Sequence, residues 1–150
     1  MFIRTCILTL TLGATSAALA FPCFLTVVKD RCWAEYNVSV TVYNTKDDAS
    51  LMTVVVPKGK SWMRKSFVCE HAQKLRFAAS FTPNIWETDK GVVFAAKSYW
   101  TLPETIPLKD TAWEIPICYP DAFPGVPFPP RATGRCGCDF SVVTPIPPQK

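Results

Sequence analysis

Residues 36–43 read Tyr-Asn-Val-Ser-Val-Thr-Val-Tyr. Val38, Val40 and Val42 alternate with Asn37, Ser39 and Thr41, a period of two that puts apolar side chains on one face of an extended chain. β-Branched residues also suit a pleated surface better than a helix, where they lose side-chain freedom. The stretch reads as a half-buried strand, and such a strand needs partners. Asn44-Thr45-Lys46-Asp47-Asp48 is a polar turn, after which Leu51 to Val56 returns as the next strand.

Working outward, Pro57-Lys58-Gly59-Lys60 turns the chain again, and Ser61 to Cys69 and Leu75 to Thr82 follow as strands. In the second of these, Leu75, Phe77, Ala79 and Phe81 share a face. Phe24 to Val28 opens the domain, while Val92 to Trp100 and Ala112 to Tyr119 complete it. Pro116 marks the last strand as an edge or a bulge, because proline has no N–H to give to a ladder. No segment sustains a helical period. Seven short strands between polar turns predict an all-β, antiparallel β-sandwich over residues 21–119, immunoglobulin-like in architecture. A partly closed barrel fits the same pattern.

The chain has 150 residues, enough for one domain with a real core. With 49% hydrophobic and only 19% charged residues it is not a disordered chain. Fourteen prolines against six glycines argue against a helical bundle. The net charge of +4 is not clustered, which speaks against nucleic acid as a partner. The one histidine, His71, lies in a polar turn. Ser61, Ser66, Ser80, Ser98 and Ser141 carry no nucleophile-elbow motif. An enzyme is therefore the least expected class, and no cofactor is expected.

Residues 1–20 read as a signal peptide: Arg4, an apolar run from Thr5, then Ala18-Leu19-Ala20 at the cleavage site. Phe21-Pro22 before Cys23 does not suit lipid attachment, and no later stretch is long enough to span a bilayer. The expected location is the periplasm or the medium. Cleavage removes Cys6 and leaves Cys23, Cys32, Cys69, Cys118, Cys136 and Cys138. An even set in an exported chain predicts disulfides. A metal site is not expected, since Cys136-x-Cys138 has no second paired knuckle. A bond between Cys136 and Cys138 would close a very tight ring, so each is expected to reach a different partner in the body.

Eight of the fourteen prolines fall in residues 120–150. That segment should run as extended coil, its first half packed on the sandwich through Phe123 and Phe128 and its last residues, from about Pro145, flexible. The spacing of Pro124, Pro127 and Pro130 also matches proline-rich ligands of SH3-like domains, a weaker reading than self-packing.

The candidate binding cluster is Trp86, Glu87, Asp89, Tyr99 and Trp100, an aromatic loop with carboxylates nearby. Glu87 and Asp89 as an acid–base pair is the lesser reading beside a solvated loop tip. The competing structural reading has Trp86 and Trp100 sealing one end of the sandwich. Three functions fit. The first is a non-catalytic exported binding or structural module acting through protein–protein contacts, for example with another exported protein or as an accessory part of a bacterial envelope complex. The second is a lectin-like module that binds a glycan. The third is a disulfide-stapled inhibitor or toxin whose active loop is the tail.

Overall fold

The computed structural model describes Gly13 and residues 20–150. The expected signal peptide, residues 1–20, lies outside the described residues apart from Gly13 and Ala20. Eight strands follow: β1 (Phe21–Lys29), β2 (Asn37–Asn44), β3 (Ser50–Val56), β4 (Trp62–Cys69), β5 (Lys74–Thr82), β6 (Phe94–Ala95), β7 (Trp100–Thr101) and β8 (Trp113–Tyr119). One sheet has the order β4-β1-β8, and the other β3-β2-β5-β6 with β7 also on β5. The two sheets close over a shared core, which makes the fold the expected β-sandwich. No helix among the described residues is long and apolar enough to cross a membrane.

The alternation of β2 explains the core. Val38, Val40 and Val42 are buried with Val54 and Val56 of β3 and Leu75, Phe77, Ala79 and Phe81 of β5. They face Cys23, Leu25 and Val27 of β1 and Trp113, Ile115, Ile117 and Tyr119 of β8. On the outer face Thr41 and Thr53 share a hydrogen bond at 2.8 Å across the ladder. Every described ladder is antiparallel except one: β1 and β8 run parallel, with Leu25 opposite Ile115. A parallel pair needs a long crossover, and nearly the whole domain lies between these two strands.

β1 is buried on both faces from Leu25 to Lys29. Its outer face is covered by the C-terminal segment: Cys138 Sγ lies 3.4 Å from the Val28 carbonyl, and Arg64 on β4 donates to the Thr144 carbonyl at 2.7 Å. Beneath that cover, Arg64 also donates to the Thr26 hydroxyl at 2.8 Å and to Glu114 at 2.6 Å, tying the three strands together. The cover explains why β1 is a near-continuous apolar run rather than an alternating one. Phe123 is buried as expected, but Phe128 is exposed. An extended chain alternates its sides, and here it is the neighbouring Pro129 that turns inward. Near the end of the chain, Gln149 N–H donates to the Thr111 hydroxyl at 3.2 Å.

The stretch Val92 to Trp100 is not one strand. β6 and β7 are two-residue pieces on β5, at Ala78–Ala79 and Lys74–Leu75. Between them the backbone finds other partners: Ala96 N–H donates to Phe77 O at 2.9 Å, and Lys97 N–H to Ala122 O at 2.9 Å. The three disulfides join Cys23 to Cys69, Cys32 to Cys136 and Cys118 to Cys138. Cys136 and Cys138 thus reach different partners, and both tether the C-terminal segment to the body.

Lys29 ends β1 with its side chain only 3% exposed. Its ammonium donates to Tyr36 O at 2.7 Å and Pro57 O at 2.9 Å, joining the loops that enter β2 and β4. Burial pulls its pKa down to about 8, against an opposing pull from the Glu35 carboxylate. The unfolded chain then binds more protons than the folded one between pH 8 and the ordinary lysine value. Stability contributed by this group therefore rises with pH through that window and is flat below it. Urea unfolding of wild type and Lys29→Met at several pH values is expected to show this rise in the difference between the two proteins. A difference independent of pH from 7 to 10.5 would refute it.

Candidate functional site

Among the described residues β8 is an edge strand, paired only with β1. The Tyr119 carbonyl accepts from Asp30 N–H at 2.8 Å, on the β1 side. By the alternation of a strand, residues 113, 115, 117 and 119 direct their backbone groups to β1, and Glu114, Pro116 and Cys118 direct theirs outward. Proline thus sits where its missing N–H costs the sheet nothing. Cys118 O is taken by Ala122 N–H at 3.0 Å, which leaves the Cys118 N–H, the Pro116 carbonyl and both groups of Glu114 facing outward with no partner strand.

Beside this free edge lies a groove of about 410 Å³. Pro116, Ile117 and Cys118 form one wall, Phe77 and the segment Ala96–Trp100 the other. Phe140, from the C-terminal segment, also lines the groove and is exposed. Between β6 and β7 the chain stays on β5 at Ala96, whose N–H donates to Phe77 O, and leaves it at Lys97, whose N–H goes to Ala122 O instead. The groove's polar groups are few. Lys97 and Asp121 face each other at 3.7 Å, both exposed, and Lys74 sits over the Tyr99 ring at 4.5 Å. Lys97 and Asp121, the charged residues of the lining, balance each other, and Lys74, which lies outside the lining, forms no ion pair among the described residues.

The five residues singled out from sequence do not converge. Tyr99 and Trp100 line the groove, 60% and 37% exposed, in register with the start of β5. Trp86, Glu87 and Asp89 follow the other end of β5, which spans about 23 Å from Leu75 to Thr82 at the ~3.3 Å rise of a strand. Trp86 is 62% exposed and so does not seal the core. Asp89 is occupied locally, since its carboxylate accepts from Trp86 N–H at 3.0 Å and holds the turn Glu87–Asp89. The groove residues that the sequence reading did not place at a site include Phe77, Ala96, Lys97, Ile117, Asp121, Ala122 and Phe140. Pro116 alone gave a signal, as an edge marker.

No protein-family model, curated protein or solved structure matches this chain. Function is therefore argued from the groove. The one cluster of metal-ligating types among the described residues, Asp30 with Cys32 and Cys136, has both its sulfurs bound in a disulfide and offers no thiolate.

Proposed function

We propose that this chain is an exported, non-catalytic binding module, periplasmic or secreted, that holds an extended segment of another exported or envelope protein. The segment adds to the free edge of β8 and places an apolar side chain in the groove against Trp100 and Tyr99. The observation that carries this reading is the coincidence of an unpaired strand edge with an aromatic groove. Backbone groups supply affinity for an extended chain and the pocket supplies selectivity, as in other cases of strand addition. Pro116 sets the register, since the added strand has no donor to meet there. The unpaired Lys74 favours a segment with an acidic residue beside its apolar anchor. The three disulfides support an oxidising compartment.

A glycan stacked on the exposed faces of Tyr99 and Trp100 is the second reading. The two are separated by panning a library of extended peptides against the oxidised protein and, in parallel, titrating sugars by tryptophan fluorescence. Selected peptides with an apolar anchor and an acidic flank are expected. Trp100→Ala should weaken them about 30-fold, the equivalent of roughly 2 kcal/mol, because aromatic anchors carry a large share of interface energy. Trp86→Ala should leave binding unchanged. Binding lost in Trp86→Ala and kept in Trp100→Ala would move the site to the other end of β5; a sugar response without peptide binding would favour the glycan.

A further inference from the structure

Two disulfides meet at Cys136-Gly137-Cys138, and they differ from the third in access. Cys23 and Cys69 are wholly buried, Cys32, Cys118 and Cys138 are half-buried, and Cys136 alone of the six is exposed. Cys136 lies in a separate cleft of about 220 Å³ lined by Arg31, Arg135, Cys136, Gly137 and Cys138. The charges around the bond have both signs. Arg31 and Arg135 directly precede the two bonded cysteines, and Arg31 has a loose partner in Asp139 at 3.6 Å. On the inner side a carboxylate oxygen of Asp30 and the sulfurs of Cys32 and Cys136 all lie within 4.8 Å of one another. Asp30 is nearly buried, and its carboxylate also accepts from Cys32 N–H at 2.7 Å.

We propose that Cys32–Cys136 is a thiol-exchange site, the bond at which a dithiol reductant opens this protein while the other disulfides stay closed, with Asp30 holding the rate down and Arg135 raising it. The thiolate of the dithiol attacks the accessible Cys136 sulfur. The Cys32–Cys136 bond breaks, and its electron pair leaves on Cys32 as a thiolate that takes a proton from water. The second thiol of the reductant then attacks the mixed disulfide, Cys136 leaves as a thiolate, and the reductant departs as its own disulfide. The protein gains two electrons and the dithiol loses two. Exchange is faster when the departing thiolate is better stabilised. A carboxylate beside Cys32 opposes that first departure, and the Arg135 guanidinium, which lines the same cleft as Cys136, favours the approach of the attacking thiolate to the Cys136 sulfur. Opening this bond need not release the C-terminal segment. Cys118–Cys138 still ties it to β8, and Arg31 N–H still donates to Gly137 O at 3.2 Å.

The test uses the oxidised full-length mature protein and dithiothreitol, an uncharged dithiol. Aliquots quenched with an alkylating reagent over time are mapped by mass spectrometry. Cys32 and Cys136 should be labelled first, at least tenfold faster than Cys23 and Cys69, with the β-sheet circular dichroism unchanged at that stage. A change of one pKa unit in the departing thiol alters the rate about threefold. Asp30→Asn, which keeps an oxygen for the Cys32 N–H, should therefore open about threefold faster. Arg135→Ala, which weakens the pull on the attacking thiolate, should open about threefold slower. The exposed Lys109→Ala controls for net charge and should match wild type. Another pair labelled first, all six labelled together, or a Cys32–Cys136 rate that responds to neither Asp30 nor Arg135 would overturn the proposal.

Discussion

Trp33→Ala is expected to lower the free energy of unfolding by about 3–5 kcal/mol, the range for deleting a large buried aromatic side chain. Trp33 is 1% exposed and sits where both sheets meet. Its ring centre lies 4.8 Å from Phe81 on β5 and 5.1 Å from Tyr119 on β8, both at edge-to-face angles, and 4.9 Å from Tyr36. Tyr119 in turn meets Phe123 at 5.9 Å, which carries the cluster into the C-terminal segment. The indole is delivered by a single turn, Arg31–Trp33, capped by the Asp30 carboxylate on Cys32 N–H. No strand residue can replace it, because it fills the end of the sandwich between the sheets. The Tyr119 hydroxyl is buried in this cluster without a hydrogen-bond partner among the described residues, and burial pushes its pKa up. Denaturant unfolding of Trp33→Ala and Trp86→Ala side by side checks the argument. The exposed Trp86 should cost no more than about 0.5 kcal/mol. Equal losses for the two would show that Trp33 is not the keystone of the core.

Removing the buried disulfide by Cys23→Ala with Cys69→Ala should cost about 4 kcal/mol. The bond closes a loop with a sequence separation of 46, between the loop lengths for which chain entropy gives about 3 and about 4.7 kcal/mol. Both side chains are fully buried, so the packing loss adds to the entropic one. The loop contains β2 and β3, which belong to the opposite sheet, so the bond limits the search that brings the two sheets together. Cys118–Cys138, with a separation of 20, closes a shorter loop, and its removal should cost about 1 kcal/mol less on the same entropic ground. Urea midpoints of the two double variants provide the comparison; a smaller loss for the Cys23 and Cys69 variant would contradict it.

The strands are legible in the sequence where a period of two is strong. β2, β3, β4 and β5 lie within a residue or so of where their patterns put them, because one buried face and one wet face write themselves into alternate residues. The pattern makes β1 too short, Phe24 to Val28, because Phe21, Pro22 and Cys23 carry no alternation. The cover on both faces begins only at Leu25, and what extends the strand back to Phe21 is its ladder with β4, where Phe21 lies opposite Cys69. Val92 to Trp100 reads as one strand because its composition suits a strand. What interrupts it is the Ala122 carbonyl, a hydrogen-bond partner that no local pattern announces.

The candidate site divides in the same way. Tyr99 and Trp100 are legible as members of an aromatic surface, and they do line the groove. Their grouping with Trp86, Glu87 and Asp89 rests on closeness along the chain. That closeness is misleading here, since the chain between them runs back along β5 and so carries Trp86 and Trp100 to opposite ends of that strand. Phe140 is invisible as a groove residue because it arrives with the C-terminal segment, held by Cys118–Cys138.

The amino-acid sequence by itself determined that this protein is a β-sandwich stapled by disulfides, with Cys136 and Cys138 bonded to different partners. Alternation, turn chemistry and the strain of a three-residue ring are local matters, and the order of the side chains records them directly. Only the tertiary structure decided that β1 and β8 run parallel, that the C-terminal segment covers β1, and that β8 is left with a free edge beside an aromatic groove. Those features depend on which distant backbone groups meet. A hydrogen bond from residue 97 to residue 122 leaves no mark on the residues that make it, since every such peptide group has the same donor and the same acceptor.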